Sequence, residues 1–198
     1  KSGFNPVPHF PARAIKKISE LKDFVNICKD GGTKQALVIG ESCTASGVAA
    51  LAGGKSNASY GDYSVAFGSN CISTGFASLA DGSGCTSSGD YSFAIGNACQ
   101  ASGVGGVAMG EESKAIGLAS FAHGYKCSIT GEYGVGFGRN GTISESTASI
   151  VIGEGGSIGL GADYGVAIGK DVTIKDGVKG GVAIGVGSKV EGSYAVAM

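Results

Sequence analysis

Large apolar residues recur in this chain at a fixed interval, and small residues flank each of them. From Asp62 to Gly103, three consecutive segments of fourteen residues read DYSVAFGSNCISTG, FASLADGSGCTSSG and DYSFAIGNACQASG. The fourth position of each segment is apolar, and the third and fifth positions are Ser or Ala. Alternation with a period of two predicts a β-strand whose two faces differ in character.

The same unit extends in both directions along the chain. Units begin at residues 34, 48, 62, 76, 90, 104, 118, 132, 147, 163, 179 and 193. The seventh position is Gly in all eleven units that reach it, namely Gly40, Gly54, Gly68, Gly82, Gly96, Gly110, Gly124, Gly138, Gly153, Gly169 and Gly185. A fixed period of this length is typical of a solenoid, in which each repeat stacks on the next.

A coil of fourteen residues is too short for a helix and a strand. Two short strands per coil, stacked at about 4.8 Å on the next coil, fit this length. The glycines mark turns between these strands, because Gly adopts a positive φ without strain. Such a roll has a narrow core, so we expect its wall of small side chains to be buried against other copies of the chain.

Residues 1–33 do not follow the repeat, and we assign them to a separate N-terminal segment ahead of the roll, residues 34–198. All three prolines lie in residues 1–11, which predicts an extended arm. From Ala12 to about Lys29, apolar residues with helical spacing predict an amphipathic helix that Gly31 and Gly32 would end. We expect this helix to cap the open end of the roll; a partner-binding helix and a short trimeric coiled coil are the alternatives.

Charge and composition exclude several classes of function. The net charge is −1, which gives no electrostatic basis for binding nucleic acid or an anionic membrane. No apolar run approaches 18 residues, so we expect no membrane insertion in this stretch, and no signal-peptide pattern opens it. Because the sequence opens at Lys1 and stops at Met198, just before the next expected Gly, we expect it to be a fragment of a longer polypeptide.

The segments SVAFG, SFAIG and GVAIG, at a spacing of fourteen residues, resemble the head repeats of YadA-like trimeric autotransporter adhesins. The same repeat occurs in bacteriophage tail fibres and spikes. The resemblance covers residues 34–198 and implies an all-β, left-handed parallel β-roll, three copies of which pack around a threefold axis. It also implies attachment to a cell surface or matrix.

Five of the six cysteines share the tenth position of their units: Cys43, Cys71, Cys85, Cys99 and Cys127. Thiols in successive coils would form a ladder, in which neighbours are close enough for a disulfide. A metal site lacks the usual CxxC or His partners. We interpret these residues as free thiols that act as small core residues, which suits assembly in a reducing cytosol and favours a phage fibre over a secreted adhesin.

The sixth position is mostly apolar but holds Asp81 in one unit and His123 in another. In a trimer, a side chain that faces the axis occurs three times, so Asp81 would give a carboxylate ring and His123 an imidazole ring. Either ring is a candidate site for an ion or water. If the position instead faces the interior of the roll, each side chain needs a hydrogen-bond partner or solvent.

Candidate receptor contacts lie at one edge of the roll and in two loops. An acidic residue precedes Tyr63, Tyr91, Tyr133 and Tyr164 at the start of their units, and exposed Tyr rows contact sugars or protein, although such rows also serve to pack turns. Units 147 and 163 each carry two extra residues, which predicts surface loops at Gly155–Ala162 and Lys170–Val178 or a reshaped roll. Lys170 and Lys175 of the second loop are the remaining candidate receptor contacts.

No arrangement of nucleophile, base and acid stands out, so we predict no enzymatic activity and no cofactor. The leading hypothesis is a trimeric attachment module of a phage tail fibre or spike that binds a receptor, glycan or matrix protein, located on the virion. The alternatives are the head of a bacterial trimeric autotransporter adhesin, on the cell surface, and a passive structural spacer in a longer fibre.

Overall fold

The chain winds into a parallel β-solenoid in which every coil contributes one long and one short strand. The computed structural model describes residues 25–30 and 34–198, and no helix occurs among them. The long-strand sheet consists of β1 (Val25–Asp30), β2 (Lys34–Glu41), β4 (Leu51–Lys55), β6 (Val65–Ser69), β8 (Leu79–Ser83), β10 (Phe93–Asn97), β12 (Val107–Glu111), β14 (Phe121–Tyr125), β16 (Val135–Arg139), β18 (Ile150–Glu154), β20 (Val166–Lys170), β22 (Val182–Val186) and β24 (Val196–Ala197). The short-strand sheet consists of β3 (Thr44–Ala45), β5 (Ala58–Ser59), β7 (Ile72–Ser73), β9 (Thr86–Ser87), β11 (Gln100–Ala101), β13 (Lys114–Ala115), β15 (Ser128–Ile129), β17 (Thr142–Ile143), β19 (Ser157–Ile158), β21 (Thr173–Ile174) and β23 (Lys189–Val190).

Successive coils stack in register, so equivalent positions form straight columns. Phe93 on β10 lies opposite Leu79 on β8 and Val107 on β12, and all three occupy the fourth position of their units. The predicted all-β, parallel roll with fourteen-residue repeats is therefore confirmed. Its left-handed winding stays a prediction.

The N-terminal end of the long-strand sheet is covered by a strand. Residues Val25–Asp30 pair antiparallel with β2, from Val25 opposite Ile39 to Asp30 opposite Lys34. The predicted helix is therefore wrong over residues 25–29, and its remainder, residues 12–24, lies outside the described residues. The physical reason is that β2 offers an unpaired edge, and a segment with β-branched Val25 and Ile27 is suited to pair with it.

The interior of the roll is lined by four columns, the third, fifth, tenth and twelfth positions of the units. The fifth-position residues Ala66, Ala80, Ala94 and Ala108 are fully buried. The expectation that the wall of small side chains faces sister chains is therefore wrong: these side chains face the narrow interior of their own coil. The large fourth-position side chains point outward because the space between the two sheets cannot hold them.

The seventh-position glycines permit the close stacking. Gly96 has a φ of +124°, and a Cβ added there would overlap the backbone carbonyl of Gly110 in the next coil. The other seventh-position glycines from Gly40 to Gly169 meet the next coil in the same way. Any side chain in this column would force two coils apart, so Gly is required for contact as well as for conformation.

Paired serines fill the narrow interior of the first coils. Ser87 and Ser92 share a hydrogen bond of 2.6 Å between their hydroxyls, and Ser92 also donates to the Gly89 carbonyl at 2.6 Å. Two coils later, Ala115 takes the place of the first serine, and the buried hydroxyl of Ser120 has no hydrogen-bond partner among the described residues. Further along, large side chains meet glycines: a Cβ at Gly134 would lie 2.7 Å from Cγ2 of Ile129.

Replacement of Gly96 by Ala should destabilise the roll severely, because the methyl group overlaps the neighbouring backbone and the residue has a positive φ. We expect a loss of about 3 kcal/mol or more in the free energy of unfolding, measured in urea. Gly192→Ala is the matched control, since a Cβ there meets nothing within 4 Å; it should change stability by less than about 0.5 kcal/mol. Equal effects of the two substitutions would contradict the role of the glycine column.

Two chemically identical substitutions of serine by alanine should have different effects on the free energy of unfolding. Ser92→Ala removes a bonded hydroxyl and leaves Ser87 without that partner, which should cost about 1–2 kcal/mol of unfolding free energy. Ser120→Ala removes a buried hydroxyl that has no partner, so it should be neutral or stabilising. Urea unfolding of both variants measures the difference, and a larger loss for Ser120→Ala would contradict it.

Candidate interaction surfaces

The outer face of the long-strand sheet, termed here the long-strand face, is a continuous apolar surface. It consists of the fourth- and sixth-position side chains, which point outward on the strands of the sheet from β2 to β22. Phe93 is 41% exposed, and Phe137 and Ile152 are 41% and 39% exposed, respectively. A row of large apolar side chains on many successive strands is far more than the scattered exposed residues of an ordinary monomer surface. The long-strand face is therefore the leading candidate for contact with other chains.

Asp81 and His123 both lie exposed on the long-strand face. Asp81 pairs in register with Phe67 on one side and Ile95 on the other. His123 packs against Phe121 and Phe137, with ring centroids 6.5 Å and 5.9 Å apart. The structure thus places them outside the roll rather than inside, and three coils separate them. Whether either ring holds an ion stays a prediction; no metal-binding cluster of three or more ligand residues occurs in the described part of the chain.

The predicted tyrosine row lies at the turn that precedes each long strand, termed here the turn edge. The side chains of Tyr63, Tyr91, Tyr133 and Tyr164 are all more than half exposed. Phe76 lies between Tyr63 and Tyr91 and contacts both rings edge-to-face at centroid distances of 5.4 Å. The turn edge therefore presents a rigid aromatic ridge at its N-terminal part, while Tyr133 and Tyr164 stand further along the same edge.

The acidic partners of these tyrosines have a structural role. Oδ1 of Asp62 accepts the backbone N–H of Val48 in the preceding coil at 2.7 Å, and Oδ1 of Asp90 accepts that of Phe76 at 2.8 Å. Asp163 accepts from Thr147 at 3.0 Å and pairs with Lys179, and these contacts lower its pKa. The aspartates of three of the pairs, Asp62, Asp90 and Asp163, therefore hold one turn to the next, while the tyrosine rings are exposed.

Lys170 and Lys175 do not join the tyrosines. Lys170 ends β20 at the opposite turn, and Lys175 follows β21, where its Nζ lies 2.8 Å from Oε1 of Glu191. Both side chains are exposed. The structure therefore distributes the six predicted receptor contacts over at least two edges of the roll.

The extra residues of the two predicted loops form stacked turns. Leu160–Gly161 and Asp176–Gly177 lie in adjacent coils, where the Gly177 N–H donates to the Leu160 carbonyl at 2.8 Å and Oδ1 of Asp176 accepts the Leu160 N–H at 2.9 Å. The regular short strands β19 and β21 lie within the two segments. Of the two alternatives for these insertions, the structure favours the reshaped roll, with Ala162 and Val178 buried beside the new corner.

The tenth-position thiols are free, and four of them are buried inside the roll. Cys85 and Cys99 donate to the carbonyls of Gly96 and Gly110 at 3.2 Å, while Cys127 donates to Gly138 at 3.3 Å. Ser113 makes the same bond to Gly124 at 3.1 Å. The column therefore holds small donors for the glycine carbonyls, as well as small core residues. Burial raises the pKa of the Cys127 thiol, which keeps it protonated and unreactive.

One feature could not be expected from the repeat. A polar cavity of about 370 Å³ lies beside the first irregular turn, lined by Thr130, Glu132, Glu145 and Thr147. Oγ1 of Thr130 accepts the Glu145 N–H at 3.0 Å and thereby holds the extra residue in place. The signal in the sequence is the missing closing glycine at Glu145, which marks the irregular turn without predicting a cavity.

Comparison with protein families gives one match, to the YadA head domain repeat, over residues 45–70, 101–126 and 179–198. Each matched stretch contains outward fourth-position and inward fifth-position side chains of the kind described above. Over these stretches the chain is therefore similar to the YadA head domain repeat. A comparison with curated proteins gives no match. No helix among the described residues has the length and apolar character needed to cross a membrane.

Thiol reactivity should follow burial. In the native protein, an alkylating reagent should modify the half-buried Cys43 well before Cys71, Cys85, Cys99 or Cys127, and urea should expose all of them. Mass spectrometry of the individual peptides measures each site separately. Rapid native modification of Cys85 or Cys99 would contradict the inward orientation of the column.

Proposed function

We propose that this chain, which is similar in part to the YadA head domain repeat, is a homotrimeric fibrous attachment module, most simply part of a phage tail fibre or spike that binds the surface of a host cell. The observation that carries the proposal is the continuous apolar long-strand face. The family match supports it, since the repeat is named for an adhesin-type head domain.

The trimer follows from the need to cover this face. Burial of apolar surface contributes roughly 25 cal/mol per Å², and most coils offer two outward side chains, so many coils together supply a large driving force. Because all coils stack in register, the face is straight, and identical faces of sister chains meet along their whole length around one axis. In the left-handed, threefold arrangement that the resemblance implies, we propose that the long-strand face is the one that meets sister chains.

In this arrangement the turn edge and the short-strand sheet remain available to a partner. The ridge of Tyr63, Phe76 and Tyr91 offers rigid aromatic surface of the kind that dominates binding interfaces. Three chains present three such ridges, so weak contacts add through multivalency. A cell-surface receptor, glycan or matrix protein is the proposed partner, and no catalytic step or cofactor is involved.

The buried free thiols favour the phage over the bacterial adhesin. Four buried free thiols inside the roll suit a protein that folds in a reducing cytosol, where phage fibres are made, better than one exported through an oxidising compartment. The family description favours the second candidate, a bacterial adhesin head, and the location is therefore the virion or the bacterial cell surface.

A charge added to the long-strand face should weaken assembly. Phe137→Lys introduces three uncompensated cations into the proposed interface, so light scattering should give a trimer mass for the native protein and a monomer mass for the variant. Gln100→Lys, on the outer face of the short-strand sheet, is the control and should stay trimeric. A stable native monomer, or dissociation caused only by Gln100→Lys, would contradict the proposed packing.

Loss of the aromatic ridge should weaken attachment without affecting assembly. In the trimer, the double substitution Tyr63→Ala and Tyr91→Ala should reduce binding to cells by about tenfold or more, because three copies of the contact are lost together. The trimer is labelled with a fluorophore, and its binding to a panel of bacterial and animal cells is measured. Tyr125→Ala, away from the turn edge, is the control. A native trimer that binds no cells would instead favour the passive spacer.

A further inference from the structure

His123 is the one histidine in the described part of the roll, and it lies in an otherwise largely apolar column. In register with it are Met109 on β12 and Phe137 on β16. Phe121, two residues earlier on the same strand, is the third apolar neighbour, and its ring centroid lies 6.5 Å from that of the imidazole. A neutral imidazole fits such a surface, whereas a charged one requires water or an anionic partner.

The charged and titratable groups near His123 lie at the ends of the same strands. Glu111, Tyr125 and Arg139 end β12, β14 and β16, two residues beyond the histidine column. From inside the roll, Sγ of Cys127 lies 3.5 Å from the backbone carbonyl oxygen of His123. Among the described residues, none of these side chains forms a hydrogen bond or ion pair with the imidazole.

We propose that His123 makes assembly acid-sensitive: the trimer holds together while the imidazole is neutral and separates when the imidazole gains a proton. This inference rests on the proposed packing of sister chains over the long-strand face. Histidine is the side chain whose unperturbed form changes charge between about pH 5 and pH 8, which makes it the residue type suited to such a response.

Two physical effects act in the same direction. Covering the face removes water from the imidazole, and a buried cation without a partner is strongly disfavoured. Threefold symmetry also places three copies of His123 at the same height, so three imidazolium groups repel one another in a poorly screened environment. Chains that separate return each imidazolium to water, and the free chain is therefore favoured as the pH falls.

Asp81 is the other titratable residue in this column, and it acts in the opposite direction. Protonation removes its charge and makes the covered face less costly at low pH. It lies three coils from His123, about 14 Å at the spacing of a sheet, and symmetry around the axis keeps that separation between chains. Asp81 therefore cannot supply the anionic partner that a protonated His123 needs. Separation of the trimer at low pH can be assigned to the histidine by substitution.

The test compares molecular mass by light scattering at about pH 7.5 and about pH 5.5. The native chain should be a trimer at the higher pH and lose trimer mass at the lower pH, with the far-UV circular dichroism of the roll unchanged. His123→Met, which copies Met109 of the preceding coil, should stay trimeric at both, and His123→Lys should be monomeric at both. His9→Ala, which removes the other histidine of the chain, should respond to acid as the native chain does.

Each failure has a separate meaning. A native monomer at about pH 7.5 overturns the proposed trimer and the switch with it. A native trimer that persists at about pH 5.5 overturns the switch but not the trimer. The same conclusion follows if the His123→Met trimer separates at low pH as strongly as the native trimer does.

Discussion

The close approach of successive coils at the glycine column determines the rest of this structure. Each seventh-position glycine meets the backbone of the next coil, where no side chain fits, and its carbonyl accepts a hydrogen bond from the small tenth-position residue in several coils. The two sheets are drawn so near each other that alanine, serine, cysteine and glycine fill most of the interior. Where Ile129 and Ile143 enlarge the interior, Gly134 opposite them makes room. The core is thus matched column by column rather than built from large side chains.

A roll with so narrow a core cannot hide its large apolar residues, and the pattern of surfaces follows from this. The fourth and sixth positions carry Leu, Val, Ile, Phe and Met outward onto one face, which sister chains cover in the proposed trimer. Other contacts hold the turns. Aspartates accept hydrogen bonds from the backbone of the preceding coil, and the residue at the second position of the unit, such as Tyr63, has a positive φ. Assembly and attachment can therefore use different surfaces of the same repeat.

The sequence predicted the repeat, the two strands per coil and the glycine and cysteine columns, because each depends on contacts between equivalent positions one period apart. It did not predict which side of a strand faces inward: alternation distinguishes two faces, but the thickness of the core decides between them, and that thickness depends on packing between the sheets. The strand at Val25–Asp30 was mistaken for a helix because a short segment takes the structure that a neighbouring edge offers. The cavity at Glu145 depends on one inserted residue, whose path no repeat specifies.

The large side chains point away from the core, and in the proposed trimer they face sister chains. Site-specific photo-crosslinking tests this claim most directly, with benzoylphenylalanine placed singly at residue 137, on the long-strand face, or at residue 100, on the outer face of the short-strand sheet. We predict that irradiation links chains covalently from residue 137 and leaves single chains from residue 100. Crosslinks between chains from residue 100 alone would contradict the claim.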